Sequence, residues 1–343
     1  MKLDTSNINK LIKDKVVMVT GGGGSIGSEL CRQIAKFNPK ELIILDNFEN
    51  NAYDLQMELN YKFPNMKKQV IIANIREISR LREIFSNLKP QVIFHAAAHK
   101  HVPLMEDNPA EAIKNNIIGT YNLVRCADEF KVLKFVQIST DKAVNPTNIM
   151  GATKRFCELI IQAYDKKSTT EYVAVRFGNV LGSSGSVIPL FKSQIAHGGP
   201  ITVMHPDINR FFMTIPEAAQ LVIQAGAIAK GGEIFVLDMG EPVKIADLAK
   251  DLITLSGLIP NVDIKIEYIG LRPGEKLYEE LLMDEVALTS TVHSKIFVEK
   301  PMEIDVDYIE KSILEFKDVV SQDKEMIFKL MEEKVPTYIR KKE

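Results

Sequence analysis

The chain lacks any apolar run long enough to cross a bilayer. Its longest, such as Leu221 to Ala229, fall far short of the roughly 18–20 residues a spanning helix needs. Cysteine is scarce. The three present (Cys31, Cys126, Cys157) are odd in number and far apart, so they fit reduced thiols packed in helices rather than a disulfide frame or a metal cage. Charge of one sign is lacking too: 43 Lys and Arg face 45 Asp and Glu, and no basic stripe stands out. Duplex nucleic acid is therefore not an expected partner. The basic tail Arg340-Lys341-Lys342 reads as a solvated end. The segment from Met1 to Lys15 is polar and has no apolar centre of the signal-peptide kind, so a cytoplasmic protein is expected. There is no internal repeat and no low-complexity segment. What remains is 343 residues, 45% hydrophobic and 26% charged, enough for one large domain or a domain and a half.

The first half alternates short β-rich runs with stretches of helical spacing. The runs are Val16 to Thr20, Glu41 to Asp46, Gln69 to Ala73, Gln91 to His95, Lys134 to Thr140 and Glu171 to Phe177. Helical spacing covers Ser28 to Phe37 and Asn50 to Lys62. Near-continuous apolar strands separated by helices predict an α/β fold with a doubly wound parallel sheet, covered on both faces. After Asn179, Gly and Pro become frequent. Strand candidates there are Ile201 to Met204, Glu233 to Leu237 and Asp263 to Tyr268, and helix candidates are Pro216 to Ala229 and Lys244 to Ser256. The expected division is a dinucleotide-binding domain over residues 1–178 and a smaller substrate-binding lobe over 179–343, with some of its segments returning to the sheet. Beyond Thr289 only one amphipathic helix, near Ile304 to Phe316, can be read.

The first strand runs into Gly21-Gly22-Gly23-Gly24-Ser25-Ile26-Gly27, with glycines spaced G-x-x-G-x-x-G at 21, 24 and 27. A β-carbon at such a turn would push a pyrophosphate away, and the N-terminus of the helix that follows offers it free N–H groups. Asp46 stands about 20 residues on, at the end of the second strand, where a carboxylate accepts from ribose hydroxyls and repels a 2′-phosphate. With Asn47 next and no Arg or Lys beside it, NAD is the expected cofactor rather than NADP. This glycine spacing resembles the extended, sugar-nucleotide branch of the short-chain dehydrogenase/reductase superfamily. The resemblance implies that Asn74 and Ile75 flank the adenine, although the family usually has Asp where Asn74 stands. It also implies that Ser25, Ile26, Ala96 and Ala97 line the cofactor.

Ser139-Thr140-Asp141-Lys142-Ala143-Val144-Asn145-Pro146 and Met150-Gly151-Ala152-Thr153-Lys154 lie at the C-terminal end of the fifth strand, the edge where catalytic groups collect. In that superfamily this place holds Ser or Thr and Tyr-x-x-x-Lys. Here Lys154 is in register, but the tyrosine position is Met150, and a thioether cannot take a proton. The whole run resembles UDP-N-acetylglucosamine 4,6-dehydratases of the polysaccharide-biosynthesis type, one subgroup of which carries Met in place of Tyr. The resemblance continues through Ala96 to Glu106, Arg176 to Ser183, Arg210 to Thr214 and Arg272 to Leu277, and spans roughly residues 15 to 285. Many members of that subgroup are large and membrane-anchored. This chain looks like the catalytic domain alone.

The resemblance implies C4 oxidation, loss of water across C5 and C6, and hydride return to C6, with Lys142 removing H5, Asp141 acting as acid to the C6 oxygen and Thr140 bonding the C4 oxygen. The acceptor of the C4 proton stays open between Asp141, a water held by Lys154, and Lys154 itself. A basic Lys142 must be neutral, so its pKa is expected to be depressed, by desolvation or by Lys154, and that of Asp141 raised. The Met subgroup implies retention at C5. UDP-N-acetylglucosamine or a related UDP-amino sugar is the implied ligand and a homo-oligomer the implied assembly. Substrate contacts are implied for Lys100, His101, Asn179, Ser186 and Val187, with Arg210 and Arg272 on the diphosphate. Glu275 and Lys276 follow less closely. Glu106 and Asn116 are read as supports of the His99–His101 loop. His95, His99 and His101 mimic a metal motif, but strand and loop spacing argues for packing and no metal. The alternatives are a UDP-sugar 4-epimerase, a dehydratase that also inverts C5, and a non-catalytic NAD-binding scaffold.

Overall fold

A computed structural model describes residues 3–280, 288–299 and 302–340. Nine strands form one sheet. Six follow the sequence-predicted runs: β1 (Val16–Thr20), β2 (Glu41–Asp46), β3 (Lys68–Ile72), β4 (Val92–His95), β5 (Lys134–Thr140) and β6 (Glu171–Phe177). Three more come from the second half: β7 (Ile234–Leu237), β8 (Leu288–Ser290) and β9 (Ile296–Glu299). The order across the sheet is β8-β9-β7-β6-β5-β4-β1-β2-β3. β1 to β7 pair in parallel, whereas β9 runs antiparallel to both β7 and β8. This is the doubly wound Rossmann architecture with an antiparallel edge.

Alternation along each strand explains the burial on both faces. Val16 and Met18 of β1 point into one apolar core, Val17 and Val19 into the other. The helices Thr5–Ile12, Ser25–Ala35 and Ile215–Ile228 supply the second core. The helices Ile78–Leu88, Gly119–Glu129, Ile149–Lys167, Val306–Val319 and Lys324–Lys334 supply the first. A third, smaller core joins Phe191, Ile201, Val203, Ile208, Ile245, Ala249, Ile253 and Ile264.

Differences from the sequence reading have local causes. The helix expected from Ser28 starts at Ser25, because Gly24 is its N-cap. The strand expected from Asp263 is confined to Ile266–Tyr268. The Asp263 carboxylate instead accepts from Ile259 N at 2.7 Å and holds a turn. The C-terminal segment is far more ordered than its sequence announced. Tyr121 and Tyr164 both donate to Glu310, which docks the Val306–Val319 helix. Arg340 is not a loose basic end: it pairs with Glu325 and lies 3.8 Å above the ring of Phe328. Lys341 and Lys342 lie outside the described residues.

A buried ion cluster ties the sheet to the Ile149–Lys167 helix. Arg176 on β6 donates to Glu158 of that helix at 2.7 Å through both Nε and Nη2, and also to Glu299 on β9. Arg155 pairs with Glu158 at 2.8 Å, and Ser139 on β5 donates to it at 2.6 Å. Burial opposes the Glu158 carboxylate, but Arg176 and Arg155 outweigh it and hold its pKa down at about 2. Removing one partner from such a cluster leaves an uncompensated buried charge. Glu299→Ala is expected to destabilise by on the order of 3 kcal/mol, read as a lower urea midpoint, with Glu299→Gln losing less.

Candidate active site

The β1 turn closes because Gly21 and Gly27 have no β-carbon. Gly21 adopts φ +66°, and a β-carbon there would stand 2.6 Å from Ala97 N at the end of β4. One on Gly27 would stand 1.9 Å from the Gly21 carbonyl oxygen, so the helix could not seat on the turn. Asp46 ends β2 and accepts from Gly23 N at 2.8 Å through Oδ2 and from Phe48 N at 2.9 Å through Oδ1. Each oxygen keeps a lone pair for a further donor. Gly21, Gly24, Asp46, Asn74, Ile75, Ala96 and Ala97 line one cleft along the strand ends, together with His99 and Asn115. Ser25, Ile26 and Gly27 form the first turn of the helix behind it, where Ser25 Oγ accepts from Ser184 N at 3.2 Å. Asn74 turns its own oxygen to Arg76 N at 3.0 Å.

At the end of β5 the strip folds tightly on itself. Thr140 Oγ1 donates to Asp141 Oδ1 at 2.8 Å, and Lys142 Nζ donates to the same oxygen at 3.1 Å. Asp141 is 1% exposed, and its Oδ2 has no partner. Asn179 Oδ1 lies 3.5 Å from Lys142 Nζ. The Ile149–Lys167 helix begins against this turn, since a β-carbon on Gly151 would meet Lys142 O at 2.1 Å. Glu106 caps that start by accepting from Ile149 N at 2.6 Å. Met150, 3% exposed, belongs to the apolar core. Lys154 is buried and donates to Ile138 O at 2.5 Å. Burial pulls its pKa down.

Lys142 departs from the sequence expectation of a depressed pKa. Burial does push against its ammonium, but the carboxylates of Asp141 and Glu279 outweigh burial, and its pKa is raised. Lys142 is thus a cation here, held 3.7 Å from Glu279 as well as 3.1 Å from Asp141. Glu279 had no signal in the sequence. It arrives because the 272–280 loop docks on the 145–148 loop. There Thr147 and Asn148 donate to Gly274 O at 2.9 and 3.2 Å, and Lys276 Nζ donates to Val144 O at 3.1 Å.

Arg210 sits across from this pair, buried, donating to Glu275 at 2.9 Å and to the Lys276 and Leu277 carbonyls. Arg272 stands exposed on the same loop and does not join Arg210 in that cluster. Lys100 Nζ donates to Ser183 at 3.4 Å, and burial, then Lys142, lowers its pKa. The His101 ring crowds Gly185, where a β-carbon would stand 2.5 Å from its Cε1. Ser186 caps the Val187–Ala196 helix, and its buried Oγ has no partner. Asn116 clamps the His99 backbone at 2.8 and 3.0 Å and bonds Thr153 of the long helix, as a support of that loop should. His95 is packed between Thr20 and Thr120 at 2.6 and 2.9 Å. Among the described residues no group of His, Cys, Asp and Glu could hold a metal, and no helix is long and apolar enough to cross a membrane.

A family model described as polysaccharide biosynthesis protein matches residues 17–301. The chain belongs to the polysaccharide biosynthesis protein family. It is 54% identical to the capsular polysaccharide biosynthesis protein CapD of Staphylococcus aureus, a match covering 92% of this chain and 53% of CapD. It therefore spans about half the length of the curated relatives it matches first. It is also 37% identical to a UDP-glucose 4-epimerase of Rickettsia rickettsii over 79% of each chain. Among solved structures, Pen from Bacillus thuringiensis superposes with a TM-score of 0.78 at 38% identity, covering 86% of this chain and 92% of Pen.

The glycine geometry gives a graded expectation. Gly27→Ala should cost roughly 1–3 kcal/mol through forced displacement of the helix. Gly24→Ala, whose β-carbon would meet only the Gly21 oxygen at 3.3 Å, should lose much less. Thermal unfolding of the two variants checks the order.

Proposed function

We propose that the protein is a UDP-N-acetylglucosamine 4,6-dehydratase that retains the configuration at C5. The observation that carries this reading is the Thr140-Asp141-Lys142 cluster built around the buried Asp141 at the end of β5, with an apolar Met150 where a dehydrogenase would keep its tyrosine. An epimerase needs only to remove and return hydrogen at C4. A dehydratase needs in addition a base for H5 and an acid for the C6 oxygen.

NAD fits the cleft. The β-carbon-free approach at Gly21, the free lone pairs of Asp46 and the absence of Lys or Arg beside it suit a pyrophosphate and an unphosphorylated ribose. Gly21, Gly24, Asp46, Asn74, Ile75, Ala96, Ala97 and Lys154 would hold it. Bound there, it supplies the hydride acceptor for C4 and the donor for C6. The chain's own groups then handle protons. Thr140 orients the C4 oxygen. Asp141, through its unpartnered Oδ2, takes the C4 hydroxyl proton and later gives it to the C6 oxygen as water leaves. Lys142 takes H5 and returns a proton to the same face of the sugar, which accounts for retention. Arg210, with Arg272 from the exposed part of its loop, meets the diphosphate. Asn179, Lys100, His101, Ser186 and Val187 border the sugar side.

The test is incubation with UDP-N-acetylglucosamine and UDP-glucose side by side, followed by mass spectrometry. A product lighter by one water is expected from the amino sugar, and deuterium placed at C4 should appear at C6. Lys142→Ala should abolish product, whereas Met150→Tyr should change the rate only modestly. An active Lys142→Ala enzyme rules the assignment out. The second reading, a UDP-sugar 4-epimerase, is favoured by the 37% identical relative of that name. It yields a product of unchanged mass.

A further inference from the structure

Taking Lys142 as the base for H5, which rests on the dehydratase reading, leaves a contradiction that the structure itself resolves. A base must be neutral, yet Lys142 is held as an ammonium. Among the described residues, three carboxylates, Asp141, Glu275 and Glu279, are ion-paired with Lys142 or Arg210, and Lys100 is the further cation close enough to feel the Lys142 charge. The decisive atom is Glu279 Oε1. It lies 3.7 Å from Lys142 Nζ and 3.6 Å from Arg210 Nε, so one oxygen serves both cations. Glu279 is 8% exposed, and its carboxyl has no closer donor among the described residues.

We propose that Glu279 is a positioning residue that takes the proton from Lys142 when a bound diphosphate draws Arg210 away, so that the sugar nucleotide itself turns Lys142 into a base. The guanidinium prefers a diphosphate, which it can grip two oxygens at a time, to one shared carboxylate. Once Arg210 turns, Oε1 faces only Lys142. A charged pair sealed from water by substrate then competes with a neutral amine and a neutral acid, and desolvation favours the neutral pair. The step balances with no other reagent. An N–H bond of the ammonium breaks and an O–H bond forms on Glu279, after the gap contracts to hydrogen-bond length, about 3 Å. Burial already raises the proton affinity of Glu279, helped by the neighbouring Asp141 and Glu275 charges and opposed by Lys142 and Arg210. Withdrawing Arg210 removes one of those two opponents and also a neighbour that disfavours the Lys142 ammonium, so the balance is tipped by desolvation of the pair. The pair shares a single proton, so its titration belongs to both residues.

A passive counter-ion and a proton acceptor would give different signs. If Glu279 were only a counter-ion, removing its charge would let Lys142 lose its proton at lower pH, and the acid limb of the kcat profile would move down or stay. If it is the acceptor, Glu279→Gln leaves Lys142 facing only Asp141, which in this reading already carries the proton passed between the C4 and C6 oxygens. The acid limb then moves up by at least one pH unit, an approximately tenfold loss at neutral pH that is recovered in alkali. Glu279→Asp, whose shorter arm keeps the carboxylate, should fall between. A downward or unmoved limb in Glu279→Gln overturns the proposal. A second measurement needs neither turnover nor a variant of Glu279. The 13Cε resonance of Lys142, assigned by its loss in Lys142→Arg, should report an ammonium in the wild-type protein at neutral pH and a neutral amine after UDP is added. A resonance that stays cationic under UDP overturns the proposal. Wild-type enzyme that never releases water from the amino sugar counts against the dehydratase reading instead, so the two failures are distinguishable.

Discussion

The pairing of Arg176 with Glu158 is the interaction on which the site rests. A guanidinium and a carboxylate with no exposed side-chain surface meet between β6 and the Ile149–Lys167 helix. Ser139 adds a bond from β5 and Glu299 one from β9. Neither ion can leave its partner without facing an apolar interior, so the helix has one register on the sheet. That register places Gly151 against Lys142, Met150 in the core and Lys154 beneath the end of β5. Ser139 is the residue before Thr140, and the clamp therefore ends where the Thr140-Asp141-Lys142 strip begins.

Polar groups around the strip divide by what each can still bond. Asp46 has spent half its acceptor capacity on backbone N–H groups and keeps the rest for a ligand. Asp141 has spent Oδ1 on Thr140 and Lys142 and keeps Oδ2. Ser186 keeps its hydroxyl. Such unspent acceptors and donors in buried positions are costly in a protein without a ligand. Arg210, by contrast, is fully engaged, so a diphosphate must displace protein carboxylates to reach it.

Membership in a polysaccharide biosynthesis family bounds the chemistry without choosing among its variants. The fold is shared by enzymes that only invert a carbinol and by enzymes that expel water. The difference lies in a few side chains at the strand ends, above all in whether a base and an acid accompany the hydride site. Met150 removes the phenol that the simpler chemistry relies on. The Asp141-Lys142 pair next to it offers two proton-handling groups within 3.1 Å of each other.

The succession of strands along the chain, the glycine turn, Asp46 and the adjacency of Thr140, Asp141 and Lys142 were legible in the sequence, because each depends on residues near one another in the chain. A short continuous apolar run between helical stretches marks a strand buried on both faces, a turn needs glycine where a β-carbon would collide, and neighbours such as Asp141 and Lys142 stay neighbours in any fold. What could not be read was set by contacts across long separations. Glu279 meets Lys142 only because two loops dock, Glu299 joins Arg176 only because a late antiparallel strand returns to the sheet, and Glu310 anchors a helix through two distant tyrosines. The protonation of Lys142 belongs to that second group. The role of base implied a neutral amine, depressed by desolvation or by Lys154, but charge acts through space, and the tertiary structure brought a second carboxylate to within 3.7 Å.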